Sequence, residues 1–256
     1  METLLVEAKG EGVLLVTLNR PTAGNSLSSQ MAEELLALWS AAETRAQRCI
    51  VLTGAGEKIF CAGADLKERD GMTDAAWVAQ HRLFEKMRDA LLDLPCPVIC
   101  AVNGAAYGGG AEIALACDFA YASRNARFAL PEVRLGIMPG LGGTQNLSRA
   151  AGERRAREVL LTGEPFTAEE ALAWGVVNRV CADVVADALA TAATIAANAP
   201  LSVRAIRRAL KDGAGLPMGA ALEAELIAYD TLTPTADRRE GIAAFNEKRK
   251  ARFEGR

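Results

Sequence analysis

One histidine, His81, serves the whole 256-residue sequence, and that scarcity excludes more chemistry than any single motif admits. A Ser-His-Asp triad, a Cys-His pair or a zinc site with two histidines must pass through His81 or not exist. His81 falls in "WVAQHRLFEKMRDALL", a helix-like pattern, which predicts a surface or flank residue and no histidine chemistry. Paired cysteines are missing too. Cys49, Cys61, Cys96, Cys100, Cys117 and Cys181 make no CxxC, and most sit in apolar segments. They read as small core residues rather than a disulfide framework, and no metal site is expected. No apolar run approaches the roughly 20 residues of a membrane span. "METLLVEAKG" lacks the charged start and cleavage site of a signal peptide, so a cytoplasmic protein is expected. A formal net charge of −3 offers no basic patch for nucleic acid. The basic tail "EKRKARFEGR" is also acidic and reads as a solvated helix face.

What the chain does have is the balance of a globular protein, 50% apolar and 24% charged, over a length that can bury a large core. "LLVEAKG" and "VLLVTLNR", joined by Gly10-Glu11-Gly12, read as a β-hairpin. Ser28 to Arg45 has helical periodicity, with Met31, Leu35, Leu38 and Trp39 on one face. "RCIVLTG", "PCPVICAVNG", "DFAYAS" and "ARFAL" read as strands, "GMTDAAWVAQHRLFEKMRDALLDL" and "AEIALAC" as helices. Continuous apolar strands alternating with helices predict an α/β fold whose sheet is covered on both sides. From about residue 142 helical segments take over, opening near Gly142, Glu153, Thr167, Asp183, Leu201, Pro217 and Thr235. The expected division is a core over residues 1–195 and a helical region over 196–256.

Three stretches could carry chemistry. In "YGGGAEIALACD" the glycines form neither a P-loop nor a dinucleotide fingerprint, because the spacing and the following Gly-Lys-Ser/Thr are absent. Glycines at a helix start do leave N–H groups open to a developing oxyanion. Glu112, just after them, reads equally well as a first-turn acid complementing the helix dipole or as a catalyst. "FCAGADLKE" is a second strand-end turn of small residues, with Asp65 as a good N-cap. "ALPEVRLGIMPGLGGTQ" supplies Glu132 after a rigid proline. Two facing carboxylates can share acid–base work when their environments favour different protonation states.

Taken together, "FCAGADLKE", "AVNGAAYGGGAEIALACDF" and "FALPEVRLGIMPGLGGTQNL" resemble the signature of the enoyl-CoA hydratase/isomerase (crotonase) family. The likeness runs on through "LLTGEPFTAEEALAWGVVNRV" and "DRREGIAAFNEKRKARF", nearly the whole chain. The resemblance implies an α/β spiral of ββα turns with a C-terminal helical region, assembled as a homotrimer or a homohexamer. It implies an oxyanion hole from the N–H groups of Ala64 and Gly109. Glu112 would deprotonate water, Glu132 would protonate the α-carbon, and the Gly140 backbone would help hold the water. Ala23, Ala62, Asp65, Leu66 and Lys67 match the region that receives CoA, which enters with the substrate; no cofactor is implied. Leu130, Asn146 and Gly24-Asn25-Ser26 depart from common versions of these motifs and bear on acyl preference. The expected activity is hydration of a 2-enoyl-CoA thioester. A double-bond isomerase, a hydratase or dehydratase for branched, aromatic or carnitinyl groups, and a silent scaffold or RNA-binding member are the alternatives. A serine peptidase on the same general fold would need a base that His81, in an unrelated helix, does not supply.

Overall fold

In a computed structural model describing residues Met1–Arg256, the expected hairpin forms from β1 (Leu4–Ala8) and β2 (Val13–Leu18), antiparallel with Leu4 opposite Leu18. Both Gly10 and Gly12 take positive φ in the turn between them. α1 (Ser29–Ser40) follows, capped by Ser28, whose side chain accepts the N–H of Met31, and it buries the predicted face of Met31, Leu35, Leu38 and Trp39. The single helix expected to Arg45 breaks at Ala41, whose ψ of 137° is extended, before α2 (Ala42–Arg45). Nothing in the local sequence explains that break.

The next 90 residues repeat one plan. A long strand enters a large sheet, a short strand enters a small one, and the chain then leaves through a turn. The first pass is β3 (Cys49–Gly54) and β4 (Ile59–Cys61), followed by α3 (Leu66–Arg69) and α4 (Asp74–Leu92). The second is β5 (Val98–Val102) and β6 (Ala105–Tyr107), followed by α5 (Gly109–Ala116). The third is β7 (Phe119–Ser123) and β8 (Arg127–Ala129), followed by a 3-10 turn over Pro131–Leu135. Each pass is one ββα turn of a spiral, as the resemblance implies. β4 and β6, absent from the strands read in the sequence, are three residues each and take their form from the neighbours they pair with.

The remaining elements close the two sheets. α6 (Gly143–Ala151) and α7 (Glu153–Thr162) lead to β9 (Phe166–Thr167), α8 (Ala168–Ala173) and β10 (Arg179–Cys181). The large sheet runs β1-β2-β3-β5-β7-β10 and is parallel after its hairpin; the small sheet runs β4-β6-β8-β9. β10 corrects the expectation of helices alone after residue 142. It pairs in parallel with β7, matching Val180 to Ala122.

α9 (Val184–Ala196) explains why the long strands are apolar throughout. Its stripe Val184, Ala188, Ala192 and Ala196 covers one sheet face over Leu15, Val51, Ile99 and Tyr121, and α1 and α4 cover the other. Small residues every fourth position let this helix approach the sheet closely. This helix ends at Ala196. α10 (Pro200–Gly213), α11 (Met218–Asp230) and α12 (Ala236–Asn246) then form the helical region. Arg48 ties it back, donating to the carbonyls of Ala196 at 2.8 Å and Phe253 at 2.7 Å. All six cysteines are buried and free, as read from their apolar surroundings. No single helix is long and apolar enough to cross a membrane.

Candidate active site

β4, β6 and β8 lie side by side and parallel, so their C-terminal ends share one edge. Parallel sheets place ligands at that edge. Ala64 follows β4, Gly109 and Glu112 follow β6, and Glu132 follows β8. Three segments separated by about 20 to 45 positions in the sequence therefore meet in space. All four residues line one cavity of about 750 Å³.

The turn after β6 depends on Gly108. Its φ of 51° with ψ of −125° is open only to glycine at low cost, and a β-carbon there would lie 3.0 Å from Glu132 Oε1. The distortion ends β6 and starts α5 with Gly109 as its first residue. The N–H of Gly109 has no carbonyl to meet, being the first of its helix, and Ala64 N–H is likewise unspent on any protein acceptor. The two turns touch: a β-carbon on Gly63 would stand 3.4 Å from the nitrogen of Gly109, and one on Gly109 would stand 3.9 Å from that of Ala64. Two unspent donors thus lie close together on the cavity wall.

Glu112 sits in the first turn of α5 and is 2% exposed. Its carboxylate crosses to a different helix. Oε1 accepts the N–H groups of Leu141 at 2.7 Å and Gly143 at 2.8 Å, at the start of α6. Burial pushes its pKa up, while the N–H groups of Gly143, Leu141 and Gly140 act against that rise by favouring the ionised form. Gly143 is small for a reason: a β-carbon there would meet Glu112 Cγ at 2.9 Å and Oε1 at 3.0 Å. Gly143→Ala should thus displace the carboxylate and lower turnover on the order of 10²-fold, and its clash with buried Leu130 at 2.8 Å should lower the melting temperature. Steady-state kinetics beside thermal melting checks this, and unchanged turnover would refute it.

Glu132 has the opposite environment. It is 8% exposed, and its Oε2 is buried with no hydrogen-bond partner. Burial, with a smaller push from the charge of Glu112, raises its pKa to about 7. Burial thus pushes both carboxyls up, and Glu112 alone has the Leu141 and Gly143 N–H groups acting against that rise. Leu130 is fully buried, and a β-carbon on Gly143 would meet its Cδ2 at 2.8 Å.

The remaining residues sort clearly. Ala62, Leu66 and Gly140 line the same cavity, whereas Lys67 lies on an adjoining shallow groove. Ala23 is exposed in a 3-10 turn beside Ala62, whose N–H donates to Gly24 O at 3.0 Å. Asp65 is the N-cap its sequence suggested, accepting the N–H of Lys67 at 3.1 Å and pairing with Arg20 at 2.9 Å. Both its oxygens are occupied within the fold, which makes it a support of the α3 turn rather than a wall of the cavity. His81 departs from expectation. It lies on the flank of α4 as predicted, yet that flank faces the cavity, where the ring packs on Gly140 with Nε2 3.7 Å from Glu85. Arg69, Trp77 and Phe84 also line the cavity and were not singled out in the sequence. Their signal, an arginine one turn beyond the "GAD" stretch and aromatics seven apart on a helix, is faint.

The profile of the enoyl-CoA hydratase/isomerase family matches residues 8–256. This chain belongs to that family. It is 44% identical to YngF of Bacillus subtilis over 257 residues, covering 99% of each chain. It is 40% identical to the short-chain-enoyl-CoA hydratase of Clostridium acetobutylicum, covering 98% of this chain and 97% of that one. Among solved structures, an enoyl-CoA hydratase from Bacillus anthracis superposes with a TM-score of 0.95 at 40% identity, over 99% of this chain and all of that one. The crotonase fold read from the sequence is the fold of this chain.

Proposed function

We propose that this enoyl-CoA hydratase/isomerase family member is a hydratase, adding water across the 2,3-double bond of a 2-enoyl-CoA thioester. The observation carrying the reading is the buried pair Glu112 and Glu132, one bonded to two N–H donors and the other with an unpartnered oxygen, beside two unspent N–H groups. The thioester oxygen would sit between Ala64 N–H and Gly109 N–H, which hold the enolate-like charge. A well-placed donor of this kind lowers a barrier by roughly 3–4 kcal/mol. Glu112, as carboxylate, takes a proton from water as its oxygen bonds to the β-carbon. Glu132, as acid, gives its proton to the α-carbon. The π electrons of the double bond end in the new C–H bond, and the thioester carbonyl re-forms. Gly140, beside Leu141 and Glu112, is the backbone nearest the water's place.

A double-bond isomerase moves one proton between carbons and needs one acid–base group, so retention of both glutamates favours hydration. A silent scaffold or an RNA-binding member would have no use for the pair. The reading needs no cofactor, because CoA arrives as part of the substrate along Ala62, Leu66 and Lys67 with the loop around Ala23. It places the protein in the cytoplasm, in keeping with six buried thiols left unpaired. It also carries assembly into a homotrimer or homohexamer. Ile206, Leu210, Met218, Leu226 and Phe245 of the C-terminal helices are 59–83% exposed, apolar surface that a subunit contact would cover. Light scattering should give the mass of three or six 27.0 kDa chains, and a monomer would overturn that part. The deciding test of function is loss of absorbance of the conjugated thioester across short, medium and aromatic enoyl-CoAs. No turnover with any of them would sink the hydratase reading.

A further inference from the structure

Among the cations of the cavity, Arg69 alone has no carboxylate. Arg82 pairs with Glu85 at 2.9 Å, and His81 lies 3.7 Å from the same acid. Arg69 is half-buried and makes a single side-chain hydrogen bond, from Nε to Oε1 of Gln80 at 2.8 Å. Gln80 is itself 5% exposed and anchored through Nε2 to Ser29 Oγ at 3.0 Å, which fixes the guanidinium's direction. The plane is further held by two rings, with its carbon 4.2 Å from the centroid of Trp77 and 5.6 Å from that of Phe84. The two terminal NH2 groups have no protein acceptor. Glu68, next to it on α3, gives Oε2 to Ser29 N–H at 2.9 Å instead. Burial lowers the pKa of Arg69 against the pull of Glu68, yet an arginine stays charged at any ordinary pH.

A half-buried, oriented guanidinium with both terminal NH2 groups free presents an open fork to an anion entering the cavity. Trp77, Phe84, Leu135 and Ile137 make the surrounding wall apolar, so the complement is a group at the end of an apolar stem. The planar fork of an arginine matches a carboxylate with two parallel N–H donors. We propose that Arg69 selects acyl groups ending in a carboxylate, so that the preferred substrates are CoA thioesters of dicarboxylic 2-enoic acids. This inference rests on the hydratase reading and names the acyl class for that same cavity. The CoA phosphates are the other anion within reach of chemistry of this kind, and the test separates the two.

Binding is measured by calorimetry with saturated, unreactive thioesters, so turnover is not required. Glutaryl-CoA carries the ω-carboxylate and pentanoyl-CoA, of equal length, does not; each is also tested as its pantetheine thioester, which lacks the nucleotide phosphates. The wild-type chain should bind glutaryl over pentanoyl by about 10–100-fold in both forms. Arg69→Met keeps a stem over Trp77 and should erase that ratio without weakening pentanoyl-CoA, its fold checked by an unchanged melting temperature. Arg69→Lys should restore only part, since a point charge lacks the fork. Equal binding of the two acyl groups by the wild type overturns the proposal. So does an Arg69→Met variant that weakens both CoA esters alike and leaves the pantetheine esters untouched, because the arginine then serves phosphate. Absence of turnover with every enoyl-CoA would fail the hydratase reading while the glutaryl preference still stood.

Discussion

Replacing Glu132 by glutamine is expected to lower hydration of an enoyl-CoA by about 10²–10⁴-fold, the usual worth of a positioned acid or base. The same substitution should make the protein more stable at pH 8. The two signs follow from one fact, that Glu132 is buried with an orphaned oxygen and a pKa raised to about 7. In the unfolded chain the group ionises near 4.5, so between about 4.5 and 7 the folded state holds a proton that the unfolded state has released. The stabilising contribution of the neutral acid is complete below 4.5 and is lost as pH rises through 7. Above that the folded chain carries a buried carboxylate at a cost of about 3 kcal/mol. A glutamine does not ionise and escapes it. Urea unfolding at pH 5 and pH 8 should show the wild type weakening more between the two than Glu132→Gln, which keeps only the upward shift of Glu112.

Glu112→Gln should match the loss of activity but not the gain in stability. Its Oε1 already accepts two N–H groups at the start of α6, so the carboxylate is a satisfied member of the fold. An amide keeps the oxygen but loses the charge that the helix start favours. Thioester binding should persist in both variants, because the oxyanion donors are main-chain atoms. If either variant hydrated crotonyl-CoA at near-normal rates, the paired-glutamate mechanism would be wrong.

Glu112 also shows where reading a sequence stops. Its residue type and place suited either a helix-dipole acid or a catalyst, and in the structure its carboxylate meets the N–H groups of a helix start. The dipole belongs to α6, 29 to 31 residues onward, rather than to its own helix. No local pattern could reveal that, because the contact exists only once the third turn of the spiral is wound. The long strands, their helices and the N-terminal hairpin were legible because each carries its own period. β4, β6 and β10, three residues each, owe their existence to the neighbours they pair with. Of these, β4 and β6 also decide the site, since with β8 they align the three chemical turns on one edge. Arg69 and His81 were hidden for a related reason. Which flank of a helix meets a cavity depends on what packs against the other.

The pH profile of the reaction tests whether the two glutamates share one proton. Hydration starts with Glu132 protonated and Glu112 ionised, and it ends with the proton on Glu112 and none on Glu132. Dehydration starts from that second arrangement. Both directions thus use the dyad carrying a single proton, merely placed on different members. The rate constant kcat/KM should trace a bell with the same limbs whether measured from the enoyl or the hydroxyacyl thioester. Its alkaline limb should lie at about 7, where the dyad's last proton leaves from Glu132. The acidic limb marks the second proton, which lands on Glu112 against the pull of Leu141 and Gly143 N–H. Removing those donors' grip, as Gly143→Ala does, should move the acidic limb upward, because an unsupported buried carboxylate takes a proton more readily. A flat profile through pH 7 would mean that Glu132 does not carry the one delivered to the α-carbon.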